Sequence, residues 1–252
     1  IQSRHMGMTR FKDDVYHRWL YKNIDLIHAV TYKVKEQLEE FIPQDVRPEI
    51  EMVYLGTEAS AVDKKIVQDL KNKYKKNDEF IVGIVGRIED GKGQHKVIDA
   101  IAKLIDLNIK ALIVGSAMQE SYLNELEQKV KKLGLQEKVI FTGFTNNVDE
   151  YMQIFDINIL ATTNETFGLV VIEAMVNKVA MIATNNGGPL EIIDDGVDGL
   201  LFDGTSEDLA EKIEILYNNQ EFKTNLAMGG YDTVMKKFNA NKQNDKLYEV
   251  IV

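Results

Sequence analysis

The sequence predicts an α/β fold, a doubly wound parallel sheet over roughly residues 56–238, and three observations carry that prediction. Short apolar runs alternate regularly with amphipathic helical stretches. The runs are continuously apolar, as strands covered on both faces must be. Glycine-rich turns follow several of these runs directly, where a parallel strand hands over to its crossover helix.

Taken in order, "EFIVGIVGR" (79–87) reads as a buried strand and "GQHKVIDAIAKLID" as the helix after it. "IKALIVGS" (109–116) is the next strand, followed by "SYLNELEQKVKKLG", a helix closed by Gly134. "KVIFTGF" (138–144) precedes the short amphipathic "NVDEYMQIFD". "INILAT" (157–162) leads into "NETFGLVVIEAMVNK", "VAMIAT" (179–184) into "GGPLEIIDDG", and "GLLFD" (199–203) ends the series. Everything after it reads as helical, with a last helix behind "FNAN" over 239–252.

The segment before this domain reads differently. "VYHRWLYKNIDLIHAVTYKVKEQLEEF" gives helix, strand, helix, and "EIEMVYLG" (49–56) one more strand. Two strands and two helices cannot bury a core alone. Residues 9–55 are therefore expected to be the tail of a preceding domain, with an apolar face that a second copy of the chain covers as a homodimer through 11–55. The opening "IQSRHMG" reads as a tag remnant, and residues 1–8 are set aside.

Composition excludes several function classes. The 252 residues are 44% hydrophobic and 28% charged, with a net charge of −10. A nucleic-acid partner would call for a basic face and a lipid surface for a basic amphipathic helix, and neither is visible. No cysteine is present, so there is no disulfide and no thiolate metal site. No apolar run is long enough to span a bilayer and no secretory signal is found, which gives a cytoplasmic expectation.

In open α/β sheets ligands bind beyond the carboxyl ends of the strands. Three such ends collect chemistry here. After the first strand come Gly86, Arg87, Gly91, Lys92 and Gly93; after 157–162 come Glu165, Phe167, Gly168 and Leu169; after 179–184 comes "NNGGPLE". Amides at a helix start suit a phosphate, as do Arg and Lys. Each element also has a plainer reading. The glycine loop can be a turn, Glu165 a helix-start charge, Glu173 the partner of a buried lysine, and Arg87 the partner of Glu89 or Asp90. His95 reads as a surface residue, and Trp19 and the methionines as core. Convergence on one sheet edge favours an anion site. Arg87 is also the only arginine after residue 47, in a chain that otherwise uses lysine.

"GRIEDGKGQHKVIDAI" followed by "ETFGLVVIEAMVNKVAMIATNNGGPLEIIDDGVDGLLF" resembles the C-terminal domain of retaining GT-B glycosyltransferases of family 4, over roughly residues 50–252. That resemblance implies a Rossmann-like half of a GT-B fold with a helical C-terminal tail. It implies that Arg87 and Lys92 hold the donor diphosphate, that Glu173 binds the ribose hydroxyls, and that Glu165 binds the transferred sugar. Amides near Gly168 and Leu169 would cap the distal phosphate, with Gly86 and Phe167 completing the donor site. If 166–173 were helical, Glu165 and Glu173 would stand roughly 12 Å apart along the axis. That exceeds the roughly 5–9.5 Å of a glycosidase pair and fits the two ends of one nucleotide-sugar. Where the family has Gly and Pro, this chain has Lys178 and Ala180, which is expected to change a turn and not binding.

The implied reaction is hexosyl transfer from a nucleoside-diphosphate sugar to an acceptor hydroxyl with retention. Arg87, Lys92 and Glu165 are its catalytic residues, and no metal or other cofactor takes part. UDP is favoured over GDP, and the acceptor, a carbohydrate or a lipid-linked one, is expected to be bound by an N-terminal domain outside this chain. The chain by itself is therefore expected to bind donor without turning it over. A pure donor-binding module and a GT-B nucleotide-sugar epimerase are the alternatives; a hydrolase or phosphorylase is disfavoured by the carboxylate spacing. The full-length protein is expected in the cytoplasm or peripherally at the inner membrane, with no nucleic-acid partner.

Overall fold

A computed structural model describes residues 1–76 and 78–252. It contains two sheets, both wholly parallel. The first is built from β1 (Gln2–Arg4), β2 (Leu26–Ala29) and β3 (Glu49–Met52), with helices α1 (Val15–Lys22) and α2 (Tyr32–Phe41) between them. β2 is central, every residue buried, and Ile27 pairs with Gln2 on one side and Ile50 on the other.

Two expectations are corrected here. Residues 1–8, set aside on sequence, take part in the fold, because Gln2–Arg4 occupies the edge of β2 that 11–55 by itself leaves open. The second concerns Trp19, which is 61% exposed, and Met6, Met118, Met228 and Met235, exposed as well, so none of these is core. α1 turns Tyr21 inward onto Phe11, leaving Val15, Tyr16 and Trp19 on the outside. A small core of its own, including Ile27, Val34, Leu38, Ile42 and Ile50, holds this unit together.

The second sheet follows from α3 (Lys64–Tyr74), β4 (Phe80–Val85), α4 (Gln94–Lys103), β5 (Ile109–Val114), α5 (Glu120–Lys132) and β6 (Val139–Gly143). It continues through α6 (Val148–Met152), β7 (Ile157–Leu160), α7 (Leu169–Val176), β8 (Ala180–Thr184), α8 (Pro189–Ile192) and β9 (Leu200–Phe202). Three helices close the chain: α9 (Ser206–Asn218), α10 (Gln220–Lys237) and α11 (Ala240–Ile251). α3 escaped the sequence reading; Asp63 starts it by accepting from the N–H groups of Lys65 and Ile66.

Strand order is β6-β5-β4-β7-β8-β9. The chain therefore winds outward from β4 in one direction and from β7 in the other, and the switch point falls between these two neighbours. Along β4, Val82 and Ile84 enter one core cluster and Ile81 the cluster on the opposite face. Both faces are covered, so alternate residues cannot be polar. Each fully buried aliphatic side chain contributes about 1.5–3 kcal/mol.

β4, β5 and β7 each stop two residues before the apolar run ends in the sequence. The residues that follow turn into loops at the carboxyl edge. The C-terminus returns to the link between the two sheets: Thr57 N–H donates to Phe238 O (2.8 Å) and Ala240 N–H to Thr57 O (3.0 Å). Among the described residues no helix is long and apolar enough to cross a membrane.

Candidate functional site

A cleft of about 570 Å³ opens at the switch point, between the carboxyl edge of the six-stranded sheet and the three-stranded unit. Gly86, Arg87, Lys92, Glu165, Phe167, Gly168, Leu169 and Glu173 all line it, so the residues singled out on sequence are brought together.

The loop after β4 supplies the cations. Gly93 begins α4 in a left-handed conformation (φ 79°), and a Cβ there would lie 2.2 Å from Ala161 O, so only glycine lets this turn press against the end of β7. Arg87 stands 60% exposed at the mouth, its guanidinium 3.1 Å from Glu89 Oε1. The plainer ion-pair reading is therefore realised, alongside a position on the cleft. Lys92 Nζ reaches 3.5 Å from Glu165 Oε2 across the cleft. An ammonium and a carboxylate from the two switch-point loops thus face one ligand volume.

The helix α7 supplies the rest. It begins at Leu169 and not at Thr166, because Gly168 is left-handed (φ 97°). The estimate of an unbroken helical path from Glu165 to Glu173 is corrected accordingly: Glu165 sits on the preceding loop. Among the described residues the N–H groups of Gly168, Leu169 and Val170 have no protein partner, and all three residues line the cleft. Such amides, with the dipole behind them, form an anion site. Phe167 is buried and props this loop against Tyr54 (6.1 Å) and Phe238 (6.0 Å).

Glu173 is half-buried on the cleft side of α7, with no hydrogen-bond partner for its carboxylate among the described residues. Burial raises its pKa above the ordinary 4.5, and the charge of Asp149 adds to the effect. No lysine pairs with it, so that plainer reading is not realised. Such a carboxylate, open to the cleft, is suited to accept hydrogen bonds from ligand hydroxyls that take the place of water.

Sequence reasoning missed several lining residues. Gln94 is buried at the first turn of α4, its Nε2 donating to Arg87 O (2.8 Å) and so closing the loop that carries Arg87. Gln94 Oε1 and Thr162 Oγ1 have no protein partner among the described residues, and both residues line the cleft. Nothing in a single glutamine announces this, since its role depends on a carbonyl seven residues back. His5, Met6 and Val30 approach from the ends of the other sheet's strands and Leu55 from the link between the sheets, and only the tertiary fold could place them. His95, read as a surface residue, is half-buried with Nδ1 3.3 Å from Tyr122 Oη; burial lowers its pKa. Among the described residues no group of three or more His, Cys, Asp or Glu could hold a metal ion.

Fold and site define an open α/β domain whose switch-point cleft offers the groups an anionic ligand needs. The chain belongs to the family Glycosyl transferases group 1, whose sequence profile matches residues 66–233. It is similar to the N-acetyl-alpha-D-glucosaminyl L-malate synthase of Bacillus anthracis, 27% identical over 86% of this chain and 57% of that one. It is 30% identical to the capsular polysaccharide biosynthesis glycosyltransferase CapM of Staphylococcus aureus, over 68% of this chain and 46% of that one. The chain thus spans about half the length of the curated relatives it matches. Among solved structures, Anabaena Alr3699/HepE in complex with UDP superposes with a TM-score of 0.87 at 23% identity, covering 99% of this chain and 71% of that one. The C-terminal domain of LpcC, a glycosyl transferase group 1 protein from Francisella tularensis, is 32% identical with a TM-score of 0.66, covering 73% of this chain and 99% of that domain.

Proposed function

We propose that this chain carries the donor site of a retaining glycosyltransferase and binds a nucleoside-diphosphate sugar, UDP-linked in preference to GDP-linked. The observation that carries this reading is the cleft itself, a space of about 570 Å³ lined together by Arg87, Lys92, residues 168–170 and the two glutamates Glu165 and Glu173. Arg87, Lys92 and the α7 amides hold the diphosphate and stabilise the charge that grows on it as the sugar departs. Glu165, at the start of the loop, takes hydroxyls of the transferred hexose, and Glu173, deeper on α7, takes those of the ribose. UDP in the HepE structure supports the choice of nucleotide. With fixed cations and a helix N-terminus doing the work of a metal, binding needs none.

The acceptor, a carbohydrate or lipid-linked hydroxyl, is met outside the donor cleft, and residues 9–55 belong to the acceptor side in this reading. The chain as it stands is expected to bind donor without measurable transfer. The aromatic face of α1 is where a second copy would associate. Thermal-shift titration with UDP, GDP, ADP and their sugars, with and without EDTA, tests the reading, because a bound ligand raises stability with the logarithm of its concentration over Kd. UDP compounds should give the largest shift, unchanged by EDTA. No shift with any nucleotide would overturn it.

A further inference from the structure

Glu191 lies on α8, outside the cleft, and reaches across to the other sheet. Its Oε2 accepts the N–H of Tyr32 (2.9 Å) and its Oε1 that of Lys33 (3.0 Å), the first two helical amides of α2. The third, Val34 N–H, goes to the N-cap Thr31 Oγ1. An α-helix leaves its first amides without internal partners, and a carboxylate there also meets the positive end of the dipole. α2 is thus capped by a side chain 158 residues away in the sequence. Tyr54, on the link between the sheets, donates its hydroxyl to Glu191 Oε2 (3.1 Å). Burial, then the Glu191 charge, push that phenol well above its ordinary pKa, so it remains a donor.

The Gly187–Gly188 turn that leads into α8 is locked to the donor loop backbone against backbone. Gly188 N–H donates to Glu165 O (3.0 Å). A Cβ on Gly187 would stand 2.0 Å from Glu165 O, and one on Gly188 2.1 Å from Phe167 O. The Tyr54 ring packs on Phe167 at 6.1 Å and Tyr32 on Tyr54 at 6.0 Å. Hydrogen bonds and ring contacts therefore run without a break from α2 through Glu191 to Glu165 and Phe167.

We propose that Glu191 is a positioning residue of the donor site: by docking on the N-terminus of α2 it fixes the three-stranded sheet against residues 163–168 and holds Glu165 and Phe167 ready for the donor. This inference rests on the donor-binding reading of the cleft. It requires that occupation of the cleft and order at α2 be linked in both directions.

Hydrogen exchange measured by mass spectrometry, with UDP as the probe, tests it on the wild-type chain, Glu191→Ala and Glu191→Gln. In the wild type UDP should slow exchange in 163–170 and also in 31–38. In Glu191→Ala, exchange in 163–170 should rise before UDP is added, UDP should no longer protect 31–38, and its Kd should weaken by about tenfold, the scale of one charge-assisted hydrogen bond. Glu191→Gln keeps one acceptor oxygen and should recover part of both effects. Unchanged protection of β4 and β5 confirms that the variants are folded. Faster exchange confined to residues 31–34, with UDP affinity and 163–170 unaltered, would reduce Glu191 to a local cap and overturn the proposal. If the wild type binds no UDP, the donor reading fails separately. The ligand-free exchange of 163–170 in Glu191→Ala then decides for or against the coupling.

Discussion

Arg87 pairs with Glu89 at 3.1 Å, yet its side chain is 60% exposed. An exposed pair of this kind is worth only about 0–1 kcal/mol, so the guanidinium can leave it for a phosphate at little cost. Arg87→Lys keeps the charge but loses the planar fork. UDP binding measured by calorimetric titration should weaken by roughly 1–3 kcal/mol with thermal stability unchanged. Equal dissociation constants would leave the phosphates to Lys92 and the α7 amides. Glu173 gives a prediction of opposite sign for stability and binding. Its folded pKa is raised by burial first and Asp149 second, so the folded state holds its proton more tightly than the unfolded chain does. Stability therefore falls as pH rises from the ordinary 4.5 through the raised value. Glu173→Gln should raise the melting temperature at neutral pH and flatten its pH dependence in that window, while weakening UDP binding. A variant that melts lower at pH 7 would show that the carboxylate has a partner that stabilises it.

At the scale of the element, α7 is positioned by both of its ends. Gly168 opens it so that its first residues line the cleft. At the other end Lys178 N–H donates to Met175 O (2.9 Å) and Val179 N–H to Ala174 O (3.0 Å), a Schellman closure that needs its C′ residue left-handed. Lys178 supplies that conformation at φ 58°. The sequence reading expected a changed turn where the family has glycine, and the left-handed φ gives its physical form. A side chain there costs about 1 kcal/mol of strain, partly offset by the Lys178 ammonium 4.7 Å from the Tyr231 ring centroid. Lys178→Gly should stabilise by about 0.5–1 kcal/mol, a rise of roughly 1–4 °C in melting temperature, without altering UDP affinity. A drop on calorimetric melting would mean that the ring contact outweighs the strain.

Across the whole molecule, Asp156 ties three separate elements together. It accepts from Lys75 just after α3 (2.7 Å), from Lys223 on α10 (2.8 Å) and from the Ile81 N–H of β4 (2.8 Å). Burial alone would raise its pKa, but the two ammonium groups and the amide outweigh it and bring it below the ordinary 3.8. Its contribution is therefore present above that ordinary value and lost as pH falls through the folded one. Lys223 is buried and also stacks over Phe80. Removing its counter-charge leaves a buried ammonium, so Asp156→Asn should cost about 3–5 kcal/mol in chemical denaturation. A loss under about 1 kcal/mol would show that water reaches Lys223 and replaces the carboxylate.

The sequence by itself determined the six-stranded parallel sheet, the helices that follow its strands and the residues on its carboxyl edge. A strand buried on both faces must be continuously apolar, and a crossover must end in a turn, so both leave local marks in the chain. β4 and α7 were legible for that reason, and with them Arg87, Lys92, Glu165 and Glu173. Only the tertiary structure decided that Gln2–Arg4 completes the first sheet, that Trp19 faces outward, and that Gln94 holds the Arg87 carbonyl. It also decided that Glu191 caps a helix in the other unit. These facts rest on strand edges, backbone carbonyls and helix amides, which every residue presents alike. No side-chain pattern records which distant group will meet them; that is fixed only when the two sheets close on one cleft.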